Sequence, residues 1–451
     1  MIGRQEHLAS LDGHFLSDKN NFTILYGRHG IGKSTLIREF AKNKRTVYFE
    51  AVPADGRGML IAYRNAVSEQ LGTTISGEDY TDVFRAAAEK QDGSLLFIIE
   101  EFQNIVKIDK TFMDSVAKLA GGAVTDKKVM IILTSPSVAW IENSMVRAIG
   151  EAAFSINVFI KLRELGFADI VEMYPECDVR TALYMYAVTG GVPAYLKEWD
   201  ADAGVKSNIC RLFLKTGAVF DKDAERFIRD EFREISVYNM LLNCLASGKN
   251  KLNEIHETTG YGRDKISVYL NNLIEREIVE KVFSYDAGGS RNVRKGLYRI
   301  KDGFCSFWYA LVYPRAGMLG IMDEGDFYDR YVAAGLDNFA LEAFIKVAAE
   351  FLDIMSNAGR LAVKAGYKGR WYGKTGNIHI IYENDAGEAV VAQVYADCRP
   401  VGEADYEELM RSIGLAEVNA VQIFLFSAGG FDTRLAAMQS EELMFIRIED
   451  L

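Results

Sequence analysis

The chain has 451 residues, of which 49% are hydrophobic and 25% charged, and its formal net charge is −11. At about 100–200 residues per domain this is enough for three or four globular domains, each able to bury a core. The acidity excludes nucleic-acid contact except through a local basic patch.

The cysteines Cys177, Cys210, Cys244, Cys305 and Cys398 are scattered, with no C-x-x-C pair and no zinc spacing. They read as reduced thiols, so a cytoplasmic location is expected. The segment Met1-Ile2-Gly3-Arg4-Gln5-Glu6 is polar and unlike a signal peptide. No apolar run approaches the roughly 20 residues that span a bilayer, so no membrane partner is expected.

Over the first 160 or so residues, short apolar runs alternate with helical patterns. The runs are Phe22–Tyr26, Thr46–Glu50, Leu95–Glu100, Val129–Ser135 and roughly Phe154–Leu162. Their length and their Ile, Val, Leu and Phe content predict strands buried on both faces, hence an α/β domain with a parallel sheet over residues 1–162. Residues 163–235 are helical in pattern, interrupted by Gly190-Gly191-Val192-Pro193. Residues 236–303 read differently. Helices are predicted at Tyr238–Ala246, Leu252–Thr258 and Asp264–Glu275, followed by a hairpin of Ile278–Ser284 and Leu297–Lys301 around Asp286-Ala287-Gly288-Gly289. Three helices and a hairpin in that order predict a winged helix-turn-helix. Residues 304–451 are again α/β, with helices first and then strand-like runs at Ile378–Tyr382, Ala389–Tyr395 and Val421–Phe426.

The segment Gly27-Arg28-His29-Gly30-Ile31-Gly32-Lys33-Ser34-Thr35 contains G-x-x-x-x-G-K-[ST] between an apolar strand and a helical run. Glycines there let main-chain N–H groups curl around phosphate oxygens, and the helix N-terminus adds positive potential. Lys33 would neutralise the β and γ phosphates of ATP, and the Ser34 hydroxyl would ligate Mg²⁺. The run Leu95–Ile99 ends in Glu100-Glu101. An acid at the carboxyl end of a central strand would hold Mg²⁺, which assigns Glu100 as a metal residue. The acid beside it, Glu101, would act as general base toward the attacking water.

The set Gly3-Arg4-Gln5-Glu6, the P-loop, Glu100-Glu101-Phe102-Gln103, Leu133-Thr134-Ser135 and Gly190-Gly191-Val192-Pro193-Ala194-Tyr195-Leu196 resembles the archaeal ATPase family, a STAND-related branch of the AAA+ class. The resemblance spans about 300 residues. It implies that the strand ending at Ser135 lies between the P-loop strand and the Glu100 strand, with Ser135 sensing the γ-phosphate. It also implies a helical lid carrying Pro193 over the base, and a Gly3–Glu6 turn near adenine, with Gly3 and Arg4 as cofactor-binding residues. Two departures stand out. The family usually has Asp then Glu where this chain has two glutamates, which implies looser magnesium placement. It commonly has Gly-Arg after the sensor strand, where this chain has Gly150-Glu151, with Arg147 nearby. A missing arginine implies slow hydrolysis.

From Lys249 to Lys301 the sequence holds eleven basic and seven acidic residues, a local net of +4. The second and third helices would dock as in a DNA reader, with Lys265, Tyr269, Asn271 and Asn272 on the recognition helix and Arg291, Arg294 and Lys295 on the wing. The alternative is a module packed inside the protein that relays nucleotide state. The C-terminal part, entered through Phe307-Trp308-Tyr309, resembles a domain of unknown function with a restriction-endonuclease-like fold. Active members of that fold carry Glu on a first helix, then Asp, then Glu-x-Lys. Here the corresponding positions hold Glu342, His379, Gln393 and Tyr395. Gln and Tyr cannot replace a hard-cation carboxylate and an ammonium group, so a scaffold without nuclease chemistry is expected. The resulting expectation is a slow ATPase that switches with ATP and ADP. The alternative is a DNA-binding or regulatory protein in which nucleotide is mainly structural. A protein partner or self-association stays open.

Overall fold

The computed structural model describes every residue except 91, 221–231 and 286–295. The chain divides into two units, Met1–Glu164 and Leu165–Leu451.

In the first unit, the strands β1 (Asn21–Tyr26), β3 (Leu95–Glu100) and β4 (Val129–Ser135) are buried at every position. A strand covered on both sides needs apolar side chains at successive residues rather than alternate ones. Neighbouring residues therefore serve opposite faces. Leu96 and Ile98 pack with Leu36, Ile37 and Phe40 of the helix Lys33–Ala41. Phe97 and Ile99 pack on the other side with Met59, Tyr63, Phe84 and Phe112 of the helices Gly56–Leu71, Tyr80–Glu89 and Thr111–Ala120. With β2 (Thr46–Glu50) and β5 (Val158–Lys161), these strands form a parallel sheet in the order β2-β3-β4-β1-β5. The strand ending at Ser135 thus does lie between the P-loop strand and the Glu100 strand. The run at Phe154–Leu162 yields a shorter strand than expected. Gly150–Ser155 is a 3-10 turn, and Phe154 points to solvent at 92% exposure. An apolar side chain there was a misleading strand signal.

In the second unit, helices at Phe167–Met173, Val179–Thr189 and Pro193–Leu196 come first. Then follow Ile235–Ala246, Leu252–Thr259 and Arg263–Glu275 and the antiparallel pair β6 (Val279–Val282) and β7 (Leu297–Ile300). The turn Asp286–Gly289 and the basic residues Arg291, Arg294 and Lys295 lie outside the described residues. The C-terminal part holds a mixed sheet in the order β12-β11-β10-β9-β8. Its strands are β8 (Tyr367–Tyr372), β9 (Asn377–Glu383), β10 (Glu388–Tyr395), β11 (Asn419–Ser427) and β12 (Leu443–Arg447). The helix Ala333–Asn357 supplies Phe344, Ala348 and Leu352 to one face, and Glu403–Ala416 supplies Leu409 and Ile413 to the other.

Candidate functional site

Three loops meet at the carboxyl edge of the parallel sheet, because adjacent parallel strands end at the same level. β1 runs into the P-loop, β3 ends in Glu100, and β4 ends in Ser135. The loop's glycines are set by conformation. Gly30 and Gly32 have φ of 76° and 95°, in the left-handed region where a side chain is strained. Gly27 has φ 151°, and a Cβ there would lie 2.5 Å from the carbonyl oxygen of Leu162. Ile31 anchors the loop by burying its side chain.

Lys33, at the start of the helix Lys33–Ala41, is 7% exposed. Its Nζ donates to the carbonyls of Gly27 at 2.6 Å and Arg28 at 3.1 Å. Burial lowers its pKa to about 8, with Glu101 and Glu100 pulling the other way. Ser34 Oγ donates to Glu100 Oε2 at 2.7 Å, and the phenol of Tyr48 donates to Glu100 Oε1 at 3.0 Å. Glu101 adopts φ 58°, an uncommon conformation for a residue with a side chain, and its Oε2 accepts from Gln103 Nε2 at 2.7 Å. Ser135 is fully buried; its hydroxyl accepts from the Ser137 N–H, and its carbonyl accepts from the Gly27 N–H. His29 and Thr35 are exposed, and Arg28 pairs with Glu164 at 3.2 Å. Arg147 and Glu151 are both solvent-exposed.

Gly3 and Arg4 form a turn before the helix Gln5–Leu16. The buried Arg4 guanidinium donates to the carbonyls of Ile31 at 3.1 Å and Arg163 at 2.7 Å. The turn is therefore tied to the back of the P-loop itself. Pro193 belongs to the second unit, where it opens the helix Pro193–Leu196 after Gly190 and Gly191, both in the left-handed region. The expected residues other than Pro193 thus share the first unit. Tyr48 on Glu100 and Arg4 on the loop carbonyl escape sequence reasoning. Gln103 was visible as part of the Glu-Glu-Phe-Gln segment, although its bond to Glu101 was not.

In the second unit, the helix Arg263–Glu275 exposes Arg263, Asp264, Lys265, Val268, Asn271 and Glu275, a balanced set of charges. Lys265 lies over the rings of Tyr261 and Tyr269, and Asn272 donates to the Tyr238 hydroxyl. Arg299 on β7 bonds Glu280 and Glu342, while Lys301 bonds Glu277. The carboxylate of Glu342 also takes Arg370 at 2.8 Å. His379 N–H donates to Gln393 Oε1, and His379 Nδ1 accepts from the Val394 N–H at 3.1 Å. Burial first, and then Arg370, lower the pKa of His379 to about 4, which keeps the ring neutral. The Tyr395 hydroxyl donates to the Asp405 carbonyl. His379, Gln393 and Tyr395 line a cavity of about 490 Å³ with Asp337, Asp397 and Arg399. Among the described residues, no group of three or more His, Cys, Asp or Glu could hold a metal ion, and no helix is long and apolar enough to cross a membrane.

Residues 1–199 match a family described as an ATPase domain predominantly from Archaea, and residues 308–397 match archaeal and bacterial proteins of unknown function. An uncharacterized protein of Methanocaldococcus jannaschii is 24% identical over 437 residues, covering 92% of this chain and 95% of that protein. An uncharacterized ATP-binding protein of the same organism is 41% identical over 44 residues, covering 10% of this chain and 75% of that one. Among solved structures, the Walker-type ATPase of Pyrococcus abyssi has a TM-score of 0.49 at 14% identity, covering 68% of this chain and 96% of its own. The ORC2 protein of Aeropyrum pernix, in its ADPNP–ADP complexes, has a TM-score of 0.47 at 15% identity, covering 69% and 92%. Residues 1–199 are thus similar to an ATPase domain predominantly from Archaea, and residues 308–397 of the same chain are similar to a domain of unknown function.

Proposed function

We propose that the chain is a magnesium-dependent, slowly hydrolysing ATP switch. One observation carries this reading: Lys33, the Ser34–Glu100 pair, Glu101 and Ser135 lie at one sheet edge, beside a loop whose Gly30 and Gly32 hold positive φ. Ser34 and Glu100 place two hard oxygens 2.7 Å apart. A hydroxyl and one carboxylate beside a phosphate chain suit Mg²⁺, which keeps several waters and takes few protein ligands. When bound, the ion would neutralise charge on the β and γ phosphates.

The residues then have separate tasks. Lys33 exchanges its loop-carbonyl bonds for phosphate oxygens. The loop N–H groups of Gly27–Thr35 hold the triphosphate. Glu101 accepts a proton from the attacking water, and Ser135 bonds the γ-phosphate. Arg4 holds the loop from behind. With a glutamate at position 151, the edge gains no arginine there to stabilise the charge developing during transfer, which supports slow turnover. Pro193 and its neighbours serve as the lid whose position the nucleotide biases, and ATP can drive the switch only by preferring one lid state.

The three helices with the β6–β7 pair are read as a winged helix. The net of +4 in this segment favours duplex DNA as a second partner, although the exposed charges of the helix Arg263–Glu275 balance and the wing's basic residues lie outside the described part. Salt-sensitive duplex binding that weakens on replacing Arg291 and Arg294 would support DNA. No shift at low salt would leave the relay role. The switch reading is tested by ATP affinity and turnover of Lys33→Ala and Glu101→Gln. Binding should disappear in the first, and turnover alone in the second. Unchanged ATP affinity in Lys33→Ala would overturn it.

A further inference from the structure

We infer that Tyr48 is the positioning residue for Glu100, fixing where this chain presents its magnesium-directed carboxylate. The inference rests on the nucleotide reading above. β2 pairs with β3 so that Tyr48 stands opposite Ile98 and Glu50 opposite Glu100. Tyr48 is therefore the diagonal neighbour of Glu100, two residues back along the adjacent strand, and a tyrosine is long enough to reach across that diagonal. Its hydroxyl meets Glu100 Oε1 at 3.0 Å, while Ser34 takes Oε2 at 2.7 Å.

The ring itself is held firmly. It packs against the cluster containing Leu36, Ile37 and Ile98, beneath the P-loop helix. Its backbone is pinned on the outer edge of the sheet by Gln70, whose amide accepts from the Tyr48 N–H at 2.8 Å and donates to the Tyr48 carbonyl at 2.6 Å. A phenol facing a carboxylate can only donate to it, so the hydrogen of the Tyr48 hydroxyl is directed at Glu100.

A tether matters here because of the length of the carboxylate. Glutamate has one more methylene and one more torsion than aspartate, so its carboxyl group sweeps a larger volume unless something stops it. Ser34 alone is a single point of attachment on one oxygen, Oε2, about which the carboxylate can still swing. Tyr48 supplies the fixed second point. A carboxylate offers about four lone-pair sites, so two hydrogen bonds still leave room for a hydrated cation.

The experiment uses the full chain. ATP affinity is measured by calorimetry with Mg²⁺ and with EDTA, alongside thermal stability and the Mg²⁺ concentration giving half-maximal turnover. In Tyr48→Phe, metal-free ATP affinity and melting temperature should hold. The half-saturating Mg²⁺ should rise about tenfold, as expected for loss of one bond to a charged group, and the gain in ATP affinity on adding Mg²⁺ should shrink. In a Glu100→Asp background the shorter acid needs no tether, so adding Tyr48→Phe should change the Mg²⁺ response less than about twofold. An unchanged Mg²⁺ response in Tyr48→Phe, while Glu100→Gln weakens it, overturns the positioning role. Equal losses of metal-free affinity and stability overturn it as well, by showing a packing role. If Glu100→Gln itself leaves the Mg²⁺ response untouched, the nucleotide reading falls instead.

Discussion

Nucleotide affinity should report the protonation of Lys33. In the free protein Lys33 is 7% exposed and its ammonium titrates at about 8, because burial outweighs the attraction of Glu101 and Glu100. Beside a triphosphate the charged form is stabilised, so the bound lysine keeps its proton to a higher pH. Below about pH 8 both states are protonated and affinity is flat. Above it, the free protein has lost a proton that the complex retains, so binding must take one up. Affinity then falls about tenfold per pH unit, or ~1.4 kcal/mol. Between about pH 7 and about pH 9 the loss should be roughly tenfold. The terminal phosphate has given up its last proton by about pH 6, so the ligand's charge is constant across this window. The measurement is an equilibrium titration with a fluorescent ATP analogue at constant Mg²⁺ and ionic strength. Lys33→Arg should bind more weakly but with a flat profile, since a guanidinium does not deprotonate. A flat wild-type profile up to about pH 9 would refute the phosphate-binding role of Lys33, as would the same slope in Lys33→Arg.

Two further outcomes are expected. Glu101 holds φ 58° with a full side chain, a strain of about 1 kcal/mol that asparagine tolerates better. Glu101→Asn should melt a few degrees higher, bind ATP normally and lose turnover; wild-type turnover would remove Glu101 as the base. In the C-terminal domain, Gln393 and Tyr395 offer no carboxylate or ammonium, and Glu342 is held by Arg299 and Arg370. Plasmid DNA incubated with Mg²⁺ should stay intact, and magnesium-dependent cutting that vanishes in Glu342→Ala would contradict this.

What could be read from the sequence follows the range of the forces involved. The P-loop was legible because its glycines answer a local demand for positive φ at Gly30 and Gly32. The central strands were legible because burial on both faces forces unbroken apolar runs such as Leu95–Ile99. β8 escaped because Tyr367–Tyr372 carries Lys368 and Arg370 and buries only Trp371. An edge strand wet on most positions has neither an apolar run nor clean alternation. β12 was passed over although Leu443–Ile446 is an apolar run of the same kind as that in β2. The extra strand residues expected before β5 came from Phe154, whose side chain is exposed and so carried no packing information.

The same division runs through the candidate site. Ser34 and Glu100 could be paired from the sequence because each ends a recognisable segment. Tyr48 could not, since its reach to Glu100 spans 52 residues and exists only because β2 meets β3 in one register. A slip of one residue would turn the phenol to the opposite face of the sheet. The Arg4 guanidinium likewise joins carbonyls 27 and 159 residues away. The residues expected to do the chemistry sit in conformations dictated by their neighbours in sequence. Those that aim them depend on packing between distant segments. Substituting the first group should therefore change the chemistry directly, whereas substituting the second should change how firmly the site is held.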